Sequence, residues 1–120
     1  HELSAMYDIA HGAGLAIIFP AWMKYVYKQD IQRFVQFAVK VMDVKISDLE
    51  TTNNEETALK GIEALEQWFT TIKMPIKLSQ ANIDASKFQE MAELCTKKGP
   101  VGCFVKLEKE DVEKIYELAK

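Results

Sequence analysis

The sequence predicts an all-α protein, a helical bundle or array, from three observations. Apolar residues recur at spacings of three and four over most of the 120 residues, which is the period of amphipathic helices. Capping residues precede several of these runs. Only residues 101–107, VGCFVKL, are rich in strand-forming types, and one strand cannot build a sheet. We therefore expect about five to seven helices in one domain.

Two helices are predicted in the middle of the chain. The first follows Asp30 as a possible N-cap, and its apolar face comprises Ile31, Phe34, Val35, Ala38, Val41 and Met42. The second follows Asn53, with Glu56 three residues later in an approximate capping box. Its apolar face comprises Leu59, Ile62, Leu65, Phe69 and Ile72. Pro75 is expected to stop this helix.

Two more helices are predicted in the second half. One follows Asp84, carries Phe88, Met91, Ala92 and Cys95 on one face, and ends near Lys97, Lys98 and Gly99. The other closes the chain with Val112, Ile115, Tyr116 and Ala119. Residues 48–56 and 97–102 are predicted to be connectors.

Composition excludes several classes of partner. The net charge is −3 with Lys and Glu interspersed, so there is no basic patch for nucleic acid. The longest apolar run, from Leu15 to Met23, is too short to span a membrane, and no charged segment precedes it as in a signal peptide. Cys95 and Cys103 are expected to be reduced thiols in a cytoplasmic protein.

The opening segment lacks a helix start. Leu3, Met6 and Tyr7 share a helical face, yet no capping residue precedes them. We therefore expect this helix to begin upstream of residue 1, and the chain to be the C-terminal piece of a longer protein.

The two histidines, His1 and His11, both lie in this segment. A metal site normally needs three or four protein ligands, so the chain does not hold a complete one. Gly12 and Gly14 follow His11, and a strongly apolar helix is predicted from Leu15. Two interpretations stay open: His11 stands at a helix start facing a cleft, or the glycines permit a turn between buried helices.

The segment HELSAMYDIAHGAGLAIIFPAWMKYV resembles the metal-site segment of the iron-containing (group III) alcohol dehydrogenases, in their butanol dehydrogenase-like, NAD(P)H-dependent branch. That family's pattern is H-x-x-x-H-(x9)-H-G followed by an apolar helix. His1 matches its second histidine and His11 its third. Residues 30–42, 61–83 and 107–120 resemble the family's helical domain more loosely, so the resemblance covers nearly the whole chain.

The resemblance implies a two-domain enzyme with a dehydroquinate synthase-like fold. Residues 1–120 would be its C-terminal helical, metal-binding domain, and an N-terminal nucleotide-binding domain would be missing. The family's metal is held by an Asp, a His four residues later on the same helix, and two further histidines; only the last, matching His11, is present. His1 matches a histidine near the nicotinamide that would relay a proton or support the metal site. Cys95 falls where some relatives place a cysteine near the cleft, but we expect it to be core packing.

The implied reaction is hydride transfer between NADH or NADPH and a small aldehyde or alcohol such as butanal or butanol, assisted by Fe(II) or Zn(II). The chain alone would be inactive, and the full-length enzyme would be a cytoplasmic homodimer. Two alternatives stay open. One is a non-catalytic helical interaction module that docks through Trp22, Tyr25, Trp68 and Phe69. The other is a different member of the superfamily, such as a glycerol dehydrogenase.

Overall fold

A computed structural model describes residues 1–46 and 53–120, and within these ranges the chain is helical, as predicted. Its α-helices are α1 (Glu2–Tyr7), α2 (His11–Val26), α3 (Ile31–Lys40), α4 (Asn54–Thr71), α5 (Phe88–Cys95) and α6 (Lys109–Leu118). Short 3-10 turns lie at Tyr27–Asp30, Leu78–Ala81 and Ala85–Lys87. The six α-helices of the described ranges agree with the number expected from the sequence.

Helix α2 is at the centre of the packing, since it contacts α1, α4 and α6. Its sequence is apolar nearly all round, and Ile17, Ala21 and Met23 are buried in the main core. Pro20 lies inside the helix and is also buried. None of the helices in the described ranges is long and apolar enough to cross a membrane.

Helices α3 and α4 form the tightest helix pair, and both begin at their predicted caps. The Arg33 N–H donates to the Asp30 carboxylate at 3.4 Å, and the Glu55 N–H donates to the Asn53 side-chain oxygen at 2.9 Å. The structure records no reciprocal bond from Glu56, so the capping box suggested there is wrong. Helix α4 ends at Thr71, before Pro75 is reached.

Helix α5 and helix α6 pack against each other and are joined by the loop that contains VGCFVKL. Asp84 caps the 3-10 turn Ala85–Lys87, by accepting from the Ser86 N–H at 2.9 Å, and this turn leads directly into α5. The strand-like residues form a single antiparallel bridge, Val101 to Leu107. Gly102 has φ of 101°, and a Cβ there would lie 2.4 Å from the Val105 carbonyl oxygen. The loop therefore needs glycine at this position.

Two sequence expectations need correction. Helix α2 begins at His11, not at Leu15, so Gly12 and Gly14 lie in its first turns and form no glycine turn. The break between α1 and α2 falls at Asp8 instead, which has φ of 54°. The connector expected at 48–56 is shorter, because Asn54 already begins α4; residues 48–52 lie outside the described ranges. The connector at 97–102 is confirmed.

Candidate functional site

The two histidines stack against each other at one end of the molecule. His1 is the N-cap of α1, and His11 is the first residue of α2. Their ring centroids are 5.3 Å apart and the ring planes differ by 8°. Both residues are exposed. The turn at Asp8 reverses the chain between the two helices, so residues ten apart in sequence place their rings side by side.

An apolar cavity of about 240 Å³ lies beside the histidine pair. Exposed His1 and His11 stand at its mouth, and the buried residues Leu107, Val112, Ile115 and Tyr116 form its floor. The walls come mainly from α2, with Ile18, Phe19 and Trp22, and from the bridge residue Val101. The interpretation in which His11 stands at a helix start and faces an open space is therefore correct.

Two side chains with polar groups, Cys95 and Tyr116, also line this apolar cavity. Cys95 lines it from α5, and Tyr116 lines it from α6. Burial, followed by the nearby Glu2 carboxylate, raises the pKa of the Cys95 thiol. Burial also raises the pKa of the Tyr116 phenol, with smaller contributions from Cys95 and Glu2. Both groups are thus neutral at pH 7. Cys95 and Cys103 are free thiols, as expected.

Sequence reasoning missed part of this site. Tyr116 was assigned to a buried helix face, which is correct, but periodicity cannot separate a cavity wall from a solid core. Phe104, in the loop 101–107, does not line the cavity but packs against Trp22, which does. Its ring packs edge-on against Trp22 at 6.0 Å and lies 6.0 Å from Phe34.

The four aromatic residues of the rival docking surface do not form one surface. Trp22 lines the cavity and stacks on Phe19 at 5.6 Å. Tyr25 donates to Asp111 on α6, and Trp68 is 52% exposed on α4, in contact with Phe69. Helix α2 exposes Leu15 and Phe19 beside the cavity.

The histidine pair fits one part of a metal site. His11 presents an exposed imidazole, and neutral imidazole is a common metal ligand. No group of three or more His, Cys, Asp or Glu side chains that could hold an ion occurs within residues 1–46 and 53–120. The N-terminus of α2 also carries the positive end of a helix dipole, which disfavours a cation there. A metal at His11 would therefore need further ligands from outside the described residues.

The fold is a helical array, and a small apolar cavity with paired imidazoles at its mouth has the character of a small-molecule site. The comparisons with known proteins name its family. The family model described as "Fe-containing alcohol dehydrogenase family, C-terminal" matches residues 1–120. The chain therefore belongs to the iron-containing alcohol dehydrogenase family, as its C-terminal part, which confirms the resemblance seen in the sequence.

Individual relatives agree with this assignment. The chain is 37% identical to a probable NADH-dependent butanol dehydrogenase of Bacillus subtilis, over 93% of this chain and 29% of that protein. It is 34% identical to NADH-dependent butanol dehydrogenase A of Clostridium acetobutylicum, over 97% of this chain and 30% of that protein. The crystal structure of NADH-dependent butanol dehydrogenase A from Thermotoga maritima superposes with a TM-score of 0.86 and 41% identity, covering 99% of this chain and 31% of that one. The chain thus spans under a third of the length of these relatives.

Proposed function

We propose that this chain is the metal-binding helical domain of an alcohol dehydrogenase that transfers hydride between a nicotinamide cofactor and a small alcohol or aldehyde, such as butanol or butanal. The observation that carries the proposal is the stacked pair His1 and His11 at the mouth of a small apolar cavity. The family membership and the names of the relatives support the same reaction.

The proposal assigns different tasks to the two imidazoles. His11 begins α2, so the helix holds its side chain at a fixed place beside the cavity, and it would be one metal ligand. His1 stacks on His11 and would move a proton between the substrate oxygen and solvent, since its ring is exposed. The alternative task for His1 is to hold the His11 ring in orientation by this stacking.

The cavity would position the substrate. Its apolar walls bury an alkyl chain and exclude water from the reacting carbon, while the histidines lie at the open end. When bound, Fe(II) or Zn(II) would act as a Lewis acid that lowers the pKa of the alcohol or polarises the carbonyl. The hydride acceptor, NAD(H) or NADP(H), supplies its own chemistry and would be bound mainly by a nucleotide-binding domain outside this chain.

In the full-length protein, residues 1–120 would form one of two domains. The chain alone would be inactive, because it would hold neither the remaining metal ligands nor the nucleotide site. We also propose a homodimer, for which the exposed side chains of Trp68 on α4 and of Ile72 just after α4 would supply apolar area. We also propose a cytoplasmic location, where nicotinamide pools and reduced thiols coexist.

Two other functions are less well supported. The docking module would need its four aromatic residues on one surface, and they lie on separate parts of the fold. A glycerol dehydrogenase would use the same fold, but its polar substrate fits poorly with a cavity whose walls are mostly apolar.

The decisive variant is His11→Ala in the full-length enzyme. Loss of a metal ligand removes several kcal/mol of transition-state stabilisation, so we expect turnover to fall by roughly a thousandfold or more. Metal content, measured by elemental analysis beside steady-state rates, should fall in parallel. The fold should survive, because His11 is exposed and lies outside the core.

The matched control is His1→Ala. This variant should keep its metal but show slower turnover or an altered pH profile, because a proton relay has been removed. If His11→Ala retains full metal and near-normal turnover, His11 is not a ligand and the proposal is wrong.

A further inference from the structure

Glu2 brings a carboxylate to the apolar cavity. It lies in the first turn of α1 and lines the cavity beside His1. Its side chain is only 21% exposed, although glutamate is normally a surface residue. Cys95 lines the same cavity from α5, and burial, followed by the Glu2 carboxylate, raises the pKa of its thiol. The negative charge of Glu2 therefore acts on groups inside the cavity as well as on solvent.

No basic side chain of the described ranges neutralises Glu2 at the cavity. Among the described residues that line it, Glu2 is the only Asp or Glu, and none is Lys or Arg. The ion pair recorded for Glu2 joins its Oε2 to the exposed amino group of His1 at 3.6 Å. In the full-length protein proposed above, that amino group would be an uncharged peptide N–H. The N-terminus of α2 contributes roughly half a positive charge, which does not cancel a full carboxylate.

We propose that Glu2 determines the charge selectivity of the cavity, because its carboxylate repels anionic molecules, such as aldehyde acids, and admits uncharged alcohols and aldehydes. As a statement about substrates, this rests on the proposed dehydrogenase function. Like charges repel each other more strongly beside apolar walls than in water, since the effective dielectric constant is lower there. A carboxylate in the first turn of α1 also suits the helix dipole, but that role alone would not distinguish a charged molecule from a neutral one.

The first test uses Cys95 as a reporter of charge in the cavity. The full-length protein, freed of metal by a chelator because a cation would oppose Glu2, reacts with anionic iodoacetate or with neutral iodoacetamide of similar size. In both reactions the thiolate sulfur bonds to the CH₂ carbon and iodide leaves. The ratio of the two rates cancels the thiolate fraction of Cys95. Cys103 is the internal reference, since its thiol is exposed and does not line the cavity, and peptide mass spectrometry separates the two thiols.

Charge repulsion should lower the ratio of iodoacetate to iodoacetamide rates at Cys95 by about threefold to thirtyfold relative to Cys103. Glu2→Gln should raise the Cys95 ratio by about threefold or more and leave the Cys103 ratio unchanged. Glu90→Gln is the matched control, because Glu90 is an exposed carboxylate on the helix that carries Cys95 and does not line the cavity. It should change the Cys95 ratio by less than about twofold. Equal ratios at the two thiols, a Cys95 ratio that ignores Glu2→Gln, or a Cys95 that reacts with neither reagent would overturn the inference.

The second test applies the same comparison to substrates. The full-length enzyme with metal and cofactor reduces 4-oxobutanamide or 4-oxobutanoate, which have nearly the same shape and differ by one negative charge. In the unmodified enzyme, kcat/KM for the amide should exceed that for the acid by about threefold or more. Glu2→Gln should lower this preference by about threefold or more, mainly through KM, because the repulsion already acts on binding.

The outcomes separate this inference from the proposed function. If the enzyme reduces neither aldehyde nor butanal, the proposed function fails, while the thiol ratios still decide the charge selectivity of the cavity. If the thiol ratios respond to Glu2→Gln and the preference for the amide does not, the role of Glu2 in substrate selection is wrong. If Glu2→Gln does not fold, as judged by circular dichroism, the unmodified protein decides: raising the salt from about 20 mM to about 500 mM should screen the repulsion and bring the Cys95 ratio towards that of Cys103.

Discussion

The hydrogen bond between Tyr25 and Asp111 connects α2 to α6, two of the helices that line the cavity. The Tyr25 hydroxyl donates to the Asp111 carboxylate at 2.5 Å, and the same carboxylate accepts from the Glu108 N–H at 2.9 Å. The Tyr25 bond, followed by the Glu108 bond, lowers the pKa of Asp111 below its usual value. The bond to Asp111 also raises the pKa of the Tyr25 phenol. Asp111 thus caps α6, and its hydrogen bond with Tyr25 connects α6 to α2.

Tyr25→Phe should destabilise the fold by about 1 kcal/mol at pH 7, since the pair is only partly buried. The folded pKa of Asp111 is depressed, so its contribution is complete above about pH 4 and is lost as the pH falls through the folded pKa. The folded pKa of Tyr25 is raised, so its contribution is lost as the pH rises above about 10. Urea unfolding at several pH values measures the difference between variant and unmodified protein.

The control for this experiment is Tyr7→Phe, which removes a hydroxyl that has no partner. Its stability should be equal to or above that of the unmodified chain at every pH from 4 to 9. A Tyr25→Phe effect that is as large at pH 3 as at pH 7 would show that Asp111 is not the cause.

At the scale of single residues, His1 and His11 are the site residues that the family resemblance implies. The structure brings their rings together, and their roles remain a prediction. Periodicity places Tyr116 on a buried helix face only, because the cavity that it lines is formed with four other segments: α1, α2, α5 and the loop 101–107. The bond from Tyr25 to Asp111 spans 86 positions, and no local pattern encodes it.

Among the helices of the described ranges, α3 and α4 approach each other very closely where they cross. A Cβ at Gly61 would lie 2.5 Å from the Ala38 Cβ and 2.7 Å from its Cα, so the two helices meet backbone to backbone. Ala38 is fully buried, and neither helix can move without disturbing the core. Glycine is a poor helix former, yet this crossing requires it.

Gly61→Ala should therefore destabilise the fold by about 1–3 kcal/mol through overpacking, despite a gain in helix propensity of about 1 kcal/mol. Thermal unfolding should show a melting temperature lower by several degrees. Gly12→Ala in α2 is the matched control, because nothing lies within 4 Å of its added Cβ. This control should be neutral or slightly stabilising, and a stabilising Gly61→Ala would contradict the close crossing.

The helices themselves were largely predictable, because amphipathic period and capping residues are local. Asp30 and Asn53 both cap as expected, and the starts of α3 and α4 follow from them. The start of α2 was misplaced because its two glycines suggested a turn. Gly14 is buried in α2 with the buried side chain of Leu3 beside it, and such tertiary packing overrides helix propensity.

At the scale of the whole molecule, the described residues form one apolar core but no group of three or more side chains that could hold a metal ion. Twenty buried apolar residues form one core cluster that includes members of all six helices of the described ranges. The cavity mouth, in contrast, offers the two imidazoles and few other donors. Folding and metal binding should therefore be separable properties of this chain.

We predict that the 120-residue chain binds zinc weakly. Structural zinc sites with four ligands contribute about 10–16 kcal/mol, and a dissociation constant of 1 μM corresponds to about 8 kcal/mol. One or two imidazoles at the positive end of α2 should provide less than this. Calorimetric titration at pH 7 should give a dissociation constant above about 1 μM.

His11→Ala should weaken the residual binding further, while the thermal stability without zinc stays the same because the ring is exposed. Tight one-to-one binding that survives His11→Ala would mean that the metal site lies elsewhere in the chain.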